Sequence, residues 1–368
     1  MRSLCAGRHV RSSRGLTGCR PARLTKMRCN LVLGAYYRDW MMGKIMRRLA
    51  EALPALGWTV TISETPDFAA DVNHFLLYLE GQVPCPLVAT VGITHVDTES
   101  KKKQVLLAAE QTDLAICMSR ETAQYLVSEG ADPSKVCSVR PALDPGISPR
   151  RIVIGIATKR YRDGRKREEL LARLAGEIDL SAFAFEIFGE GWSSFAQRLR
   201  KAGAEVSLAE DCDDFEGGYA RVRQRVPFFD YYLYLGFDEG SLGTLDALAA
   251  GVKTIITPQG FHLDLDHGIT HPVSSYEDLK SVFESIRDER EERIAAVRPL
   301  TWQRYAEEHD RLWRRLLDRR RDRMPRAPQE ESATASAGQQ ARVETPISSP
   351  AAGRSSWGGW LARRFRAG

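Results

Sequence analysis

Asp238, Glu239 and Asp246 lie in the stretch DEGSLGTLDALAAGVKTIITPQGF, with seven residues between the two aspartates. Carboxylates spaced this way across a Gly-containing turn can accept hydrogen bonds from ribose and sugar hydroxyls. Taken alone, an acidic turn ahead of a helix also serves as an N-terminal cap. LDALAAG predicts a short helix ended by Gly251, since glycine tolerates the left-handed conformation that closes helices. VKTIIT predicts a buried strand of a parallel sheet, and a loop carrying Gly260 and Phe261 comes next. A basic segment, KRYRDGRKR at 159–167, follows a predicted strand that ends near Thr158. Cations at such a place can hold the negative charge that develops on a diphosphate leaving group. As a charge run alone it reads first as a solvated loop, and its place after the strand is what points to a ligand.

The order of acid, seven residues, acid, the small-residue helix ALAAG, a strand and a Gly loop resembles the nucleotide-sugar site of the retaining GT-B glycosyltransferases of family 4. The resemblance spans residues 29–317 and is strongest over 230–315. It implies that Asp246 holds the donor ribose, as Asp where the family usually has Glu. The acid facing the donor sugar is Asp238 by interval or Glu239 by the usual Glu-Gly pair, and both stay open. It also implies that Arg160, with Arg165 or Lys166, holds the diphosphate, with Lys159 a weaker candidate. The amides of Gly260 and Phe261 are then phosphate or sugar contacts. Gly189, in FGEGW, permits a close backbone approach near the donor. His95, in GITHVDTE, lies near the reacting sugar and completes the catalytic set of Glu239, Asp238 and His95. Tyr37, Arg38, Asp39 and Gly43, in AYYRDWMMGK, line the acceptor side.

These residues need a frame, and strand and helix patterns alternate from Met27 onward. That alternation predicts an α/β fold with parallel sheets. With the resemblance it gives a GT-B plan: two Rossmann-like α/β/α domains facing a cleft, with a C-terminal crossover helix. The expected divisions are a basic non-folding extension at 1–26, an acceptor-side domain at 27–148 and a nucleotide-sugar-binding domain at 149–298. A helix packing back on the first domain at 299–320 and a disordered basic tail at 321–368 complete them. The first domain is short for the family, which weakens the acceptor side of the resemblance.

The net charge of +5 is concentrated at the ends. Residues 1–26 carry seven Lys or Arg and no acid, and residues 321–368 carry eight Arg against four acids, which leaves −6 for the remainder. The body is mildly acidic, so the basic pI is no nucleic-acid footprint. Seven scattered cysteines without a C-x-x-C pair suit free thiols in a reducing cytoplasm. No stretch approaches the roughly 20 apolar residues of a membrane span. Trp357, Trp360, Leu361 and Phe365 among arginines in the tail offer peripheral contact with the inner face of a membrane. The expected partners are a nucleotide-sugar donor and a glycan, lipid or protein acceptor, with no metal and no cofactor. Two alternatives stand beside this: a catalytically inactive GT-B binding subunit, and a metal-dependent hydrolase using His262, Asp264, Asp266, His267 and His271 of the TPQGFHLDLDHGITH loop.

Overall fold

The structure is a computed structural model that describes residues 26–82, 85–210 and 215–323. The N-terminal extension and the tail, with its aromatic and basic residues, lie outside the described residues apart from Lys26 and 321–323.

The first half of the chain forms one six-stranded, all-parallel sheet. Its strands are β1 (Met27–Val32), β2 (Trp58–Ser63), β3 (Val72–Phe75), β4 (Val88–Ile93), β5 (Leu114–Cys117) and β6 (Val136–Ser138), in the order β2-β1-β3-β4-β5-β6. The second half repeats the plan with β7 (Ile152–Ala157), β8 (Phe183–Phe188), β9 (Glu205–Ala209), β10 (Tyr231–Tyr234), β11 (Lys253–Ile256) and β12 (His271–Pro272). Its order is β12-β11-β10-β7-β8-β9, the doubly wound order in which the crossover direction reverses between β7 and β10. Burial on both faces explains the unbroken apolar strands: all four residues of β3, β5 and β10 are buried.

The helices are α1 (Met41–Ala52), α2 (Glu99–Gln111), α3 (Arg120–Ser128), α4 (Glu168–Glu177), α5 (Ser193–Lys201), α6 (Phe215–Arg225), α7 (Leu242–Ala249), α8 (Tyr276–Val297) and α9 (Trp302–Arg323). Local signals set their ends. Ser275 caps α8 in a reciprocal box with Asp278, and Ser119 and Thr98 cap α3 and α2. Gly57 and Gly251 take the left-handed conformation, at φ of 90° and 72°, just beyond α1 with its 3-10 extension and beyond α7.

The last helix returns to the first sheet. Ala306 and Trp313 of α9 are buried in the same core as Leu31, Leu49, Trp58 and Val72. Trp313 Nε1 donates to Thr90 Oγ1 at 3.0 Å, and that hydroxyl lies 2.9 Å from His74 Nδ1. The hydroxyl accepts from the indole and still has a proton and a second lone pair, so it can pair with His74 Nδ1 in either tautomer. Trp58 Nε1 donates to Asp310 Oδ1 at 2.6 Å. His309 is fully buried, stacks tilted on Tyr305, and holds Nδ1 2.8 Å from the Tyr305 carbonyl. Its Nε2 is buried without a partner among the described residues. Among the described residues, no helix is long and apolar enough to cross a membrane. Cys29, Cys85, Cys117 and Cys137 are free thiols.

Burial pushes His74 well below the ordinary imidazole range, helped by His309, and lowers His309 to about 4. The unfolded chain therefore takes up protons that the folded chain refuses. Stability is present above pH 6.5 and lost as pH falls towards 4, by about 1.4 kcal/mol per pH unit for each histidine. Urea midpoints recorded between pH 7 and pH 4.5 should show this slope, and His309→Leu should reduce it. An unchanged slope in that variant would place the acid sensitivity elsewhere.

Candidate functional site

The crevice outside the C-terminal ends of β7 and β10 is where an open α/β sheet reverses its winding and exposes loops from neighbouring strands. Here it joins the two charged segments that are about 70 residues apart in the chain. Phe237 N donates to Arg165 O at 2.7 Å, and the Arg167 guanidinium lies 4.2 Å from the centroid of the Phe237 ring. Lys166, only 9% exposed, donates to Asp238 Oδ2 at 2.5 Å and to the Tyr234 hydroxyl at 2.6 Å. Tyr234 in turn donates to Asp238 Oδ1. Burial alone would push the Asp238 carboxyl up; the bonds from Lys166 and Tyr234 outweigh it and hold the group below the usual carboxylate range. Asp238 is thereby an ion-paired anchor of the turn. Glu239, its neighbour, is exposed and its carboxylate has no hydrogen-bond or ion-pair partner among the described residues. Of the two candidates for the donor-facing acid, the geometry leaves Glu239 available.

Beside this turn lies a cavity of about 750 Å³. Ala157 and Thr158 after β7, Phe188 and Gly189 after β8, Tyr219 of α6, and Leu242, Gly243 and Asp246 of α7 form its walls. The Tyr219 hydroxyl donates to Asp246 Oδ1 at 3.1 Å. Gly189 has φ of 134°, and a Cβ there would stand 2.4 Å from the Thr158 carbonyl oxygen, so the bend between β8 and α5 requires glycine. The first turn of α7 faces the cavity, and its Leu242 and Gly243 amides lack intrahelical partners by position.

The basic loop is arranged differently from expectation. Arg160 Nε donates to Glu168 Oε1 at 2.5 Å, and Arg165 pairs with Asp163 at 2.5 Å. Neither arginine lines the cavity; Lys159 does, paired with Glu190 at 2.5 Å. The Gly260–Phe261 loop lies against the acidic turn. Phe261 N donates to Glu239 O at 3.1 Å, so that amide is already used. Gly260 has φ of 53°, and a Cβ there would meet Glu239 O at 2.3 Å. This loop buttresses the acidic turn.

His262 is fully buried. Its Nε2 accepts from Ser241 N at 3.0 Å and lies 3.1 Å from Thr244 Oγ1, while Nδ1 lies 3.3 Å from Thr257 O. A ring nitrogen that accepts from an amide is unprotonated, so Nδ1 carries the proton. The imidazole thus caps the start of α7 from outside. Among the described residues, no three His, Cys, Asp or Glu side chains converge as metal ligands.

On the first sheet, His95 is exposed just beyond β4. Lys101 Nζ donates to its Nε2 at 3.2 Å and pairs with Asp97 at 2.9 Å; His95 Nδ1 lies 2.7 Å from Thr94 Oγ1. Tyr37 is half-buried against the core, and Asp39 is exposed. Arg38 Nε donates to Leu33 O at 3.2 Å. Gly43 is a packing residue: a Cβ would fall 1.8 Å from the Arg38 carbonyl oxygen. Glu80 was not among the expected residues. Its Oε1 accepts from Gly34 N at 2.5 Å, its Oε2 is buried without a partner among the described residues, and burial raises its carboxyl to about 7. An acid closing the apolar run HFLLYLE was the available signal.

No family model matches the chain, and no curated protein matches it. Among solved structures it is similar to the sucrose-phosphate synthase of Thermosynechococcus elongatus, at 12% identity and a TM-score of 0.34, covering 80% of this chain and 100% of that one. It is similar to Anabaena HepE in complex with UDP and glucose, at 9% identity and a TM-score of 0.28, covering 80% and 100%. It is also similar to AviGT4, a glycosyltransferase involved in avilamycin A biosynthesis, at 15% identity and a TM-score of 0.28, covering 79% and 98%.

Removing Lys166 strands Asp238 beside a phenol in a partly desolvated turn. Lys166→Met should cost about 2 kcal/mol in urea unfolding, less than the loss from a fully buried pair because Asp238 keeps some solvent contact. A cost near zero would show that the pair is a surface contact in solution. Glu80 gives a separate pH signature. With its folded value raised above the unfolded one, the stability it allows is complete below pH 4.5 and is lost as pH rises through 7. Glu80→Gln should flatten that part of the stability–pH curve; an identical curve would mean that Glu80 titrates normally.

Proposed function

We propose that this chain is a glycosyltransferase that moves a sugar from a nucleoside-diphosphate donor to a hydroxyl acceptor. The observation that supports it best is the 750 Å³ cavity at the winding reversal of the second sheet, with Asp246 on its wall and the acidic turn at its side. The nucleoside enters between Gly189 and α6, and Asp246 accepts from the ribose. The diphosphate meets the free amides at the start of α7, where the helix dipole favours negative charge. Lys159, on the cavity wall, adds positive charge once it leaves its exposed partner Glu190. Glu239 faces the donor sugar, with Asp238 fixing the turn that presents it.

On the acceptor side, His95, Tyr37, Arg38 and Asp39 stand on loops at the C-terminal ends of the first sheet's strands, where a glycan, lipid or protein hydroxyl would be received. Closure of the two domains would exclude water and limit donor hydrolysis. Transfer with retention and without a metal ion belongs to this reading through the family resemblance. A cytoplasmic setting belongs to it through the scattered cysteines, which suit free thiols.

The test uses the full chain. Thermal stability is scanned against UDP, GDP, ADP and their sugar conjugates, with and without EDTA, because a ligand that binds only the folded state raises apparent stability. A shift with one base, unaffected by EDTA and lost in Asp246→Ala, is expected. Glu239→Gln should keep the shift but lower turnover by about 100-fold or more. Full turnover in the Asp238→Asn, Glu239→Gln double variant would sink the reading. A nucleotide shift without turnover under any acceptor panel would instead favour the inactive binding subunit.

A further inference from the structure

A second cavity, of about 270 Å³, lies far along the chain from the acidic turn, where the polypeptide crosses between the two sheets. Ser138, Val139 and Arg140, leaving β6, form one wall. Pro299, Leu300 and Thr301, between α8 and α9, form another, and Arg120, Arg304, Tyr305, Glu308 and Arg311 complete the lining. The two crossovers are joined next to it. Leu143 N donates to Leu300 O at 2.6 Å, and Leu143 forms a parallel bridge with Thr301.

The charge at this cavity is uncompensated. Four arginines face one glutamate, and that glutamate, Glu308, is already paired with Arg311. The side chains of Arg120, Arg140 and Arg304 have no ion-pair or hydrogen-bond partner among the described residues. Two of them also sit where a helix disfavours them. Arg120 is the first residue of α3, and Arg304 is in the first turn of α9, where its amide is capped by Thr301 Oγ1 at 3.1 Å. The positive end of a helix favours acids and repels cations. All three arginines are exposed, so solvent screens part of this repulsion, and an anion joining them would relieve the rest. Guanidinium forks match the oxygens of a phosphate group bidentately.

We propose that this cavity binds a phosphate group, held by Arg120, Arg140 and Arg304 and by the hydroxyls of Ser138 and Thr301. Because its walls are the two segments that connect the sheets, an occupant ties the crossovers together. The proposal is independent of sugar transfer. The phosphate comes either from a soluble phosphate ester or from a lipid headgroup, and the recognition chemistry is the same.

The test compares the wild type with Arg140→Gln, Arg304→Gln in the full chain at constant ionic strength. Saturating nucleoside diphosphate is present where one is found to bind, so that the first cavity is filled. Pyrophosphate should raise the melting temperature of the wild type and leave the double variant unmoved, whereas potassium chloride at equal ionic strength should move neither. Without added anion, the variant should melt at or above the wild-type temperature, because like charges have been removed. A parallel arm sediments both proteins with phosphatidylcholine vesicles containing phosphatidic acid. Selective retention of the wild type supports a lipid-borne phosphate; a pyrophosphate shift without retention supports a soluble one. Equal responses of wild type and variant in both arms overturn the proposal.

Discussion

The charge cluster Lys166–Asp238–Tyr234 governs the geometry of the second domain's working edge. It ties the loop after β7 to the turn after β10, across the point where the sheet reverses its winding. An ion pair with one member almost buried is costly to desolvate and stable only when its remaining hydrogen-bonding capacity is met. Here Tyr234 meets it from within β10 itself. The consequence reaches further along the chain. With Asp238 fixed, Glu239 projects to solvent, its carbonyl receives the Phe261 amide, and Gln259 donates to the Asp238 carbonyl. The loop after β11 is thus set by the turn after β10, and through His262 it fixes the start of α7. Three loops and one helix terminus share a single electrostatic origin.

The first domain depends on a different kind of contact. Its core is completed by α9, a helix from the far end of the chain, and that docking uses buried polar rings as well as apolar packing. Trp313, Thr90 and His74 form a continuous donor–acceptor chain, while His309 leaves one nitrogen unmet. Burial disfavours charge on both imidazoles, so the union of α9 with the first sheet weakens as pH falls.

The alternation of strands and helices was legible because strands buried on both faces must be apolar throughout, and Gly57, Gly251 and the Ser or Thr caps punctuate the helices. The second domain's acidic turn and basic loop were legible as segments, yet their pairing was not: nothing local indicates that Lys166 would seek Asp238 rather than a ligand. His262 was ambiguous for a similar reason, since a buried helix cap and a metal ligand are chemically the same side chain and differ only in what stands opposite. Gly43 suggested a loop opening towards an acceptor, whereas it is a close-packing point beneath Arg38. Glu80 escaped because its partner, the Gly34 amide, is 46 residues away. Contacts of that separation are set by strand order, and strand order is not written in any one segment.

Pairing also constrains how an anion would enter the proposed donor site. Arg160, Arg165, Lys159 and Lys166 each already face a carboxylate: Glu168, Asp163, Glu190 and Asp238. Four neutralised pairs offer a diphosphate less attraction than four free cations. Taking Lys166 from Asp238 would leave a carboxylate beside the incoming phosphates, which is repulsive. Lys159 and Glu190 are exposed and exchange partners at little cost, because surface pairs are worth at most about 1 kcal/mol. In the proposed reading a diphosphate would find its first contacts at the α7 amides and Lys159, with the Lys166–Asp238 pair intact behind them. On this account the buried pair serves to hold Glu239 in place against the donor sugar, and its value to the reaction lies in not moving when the donor binds.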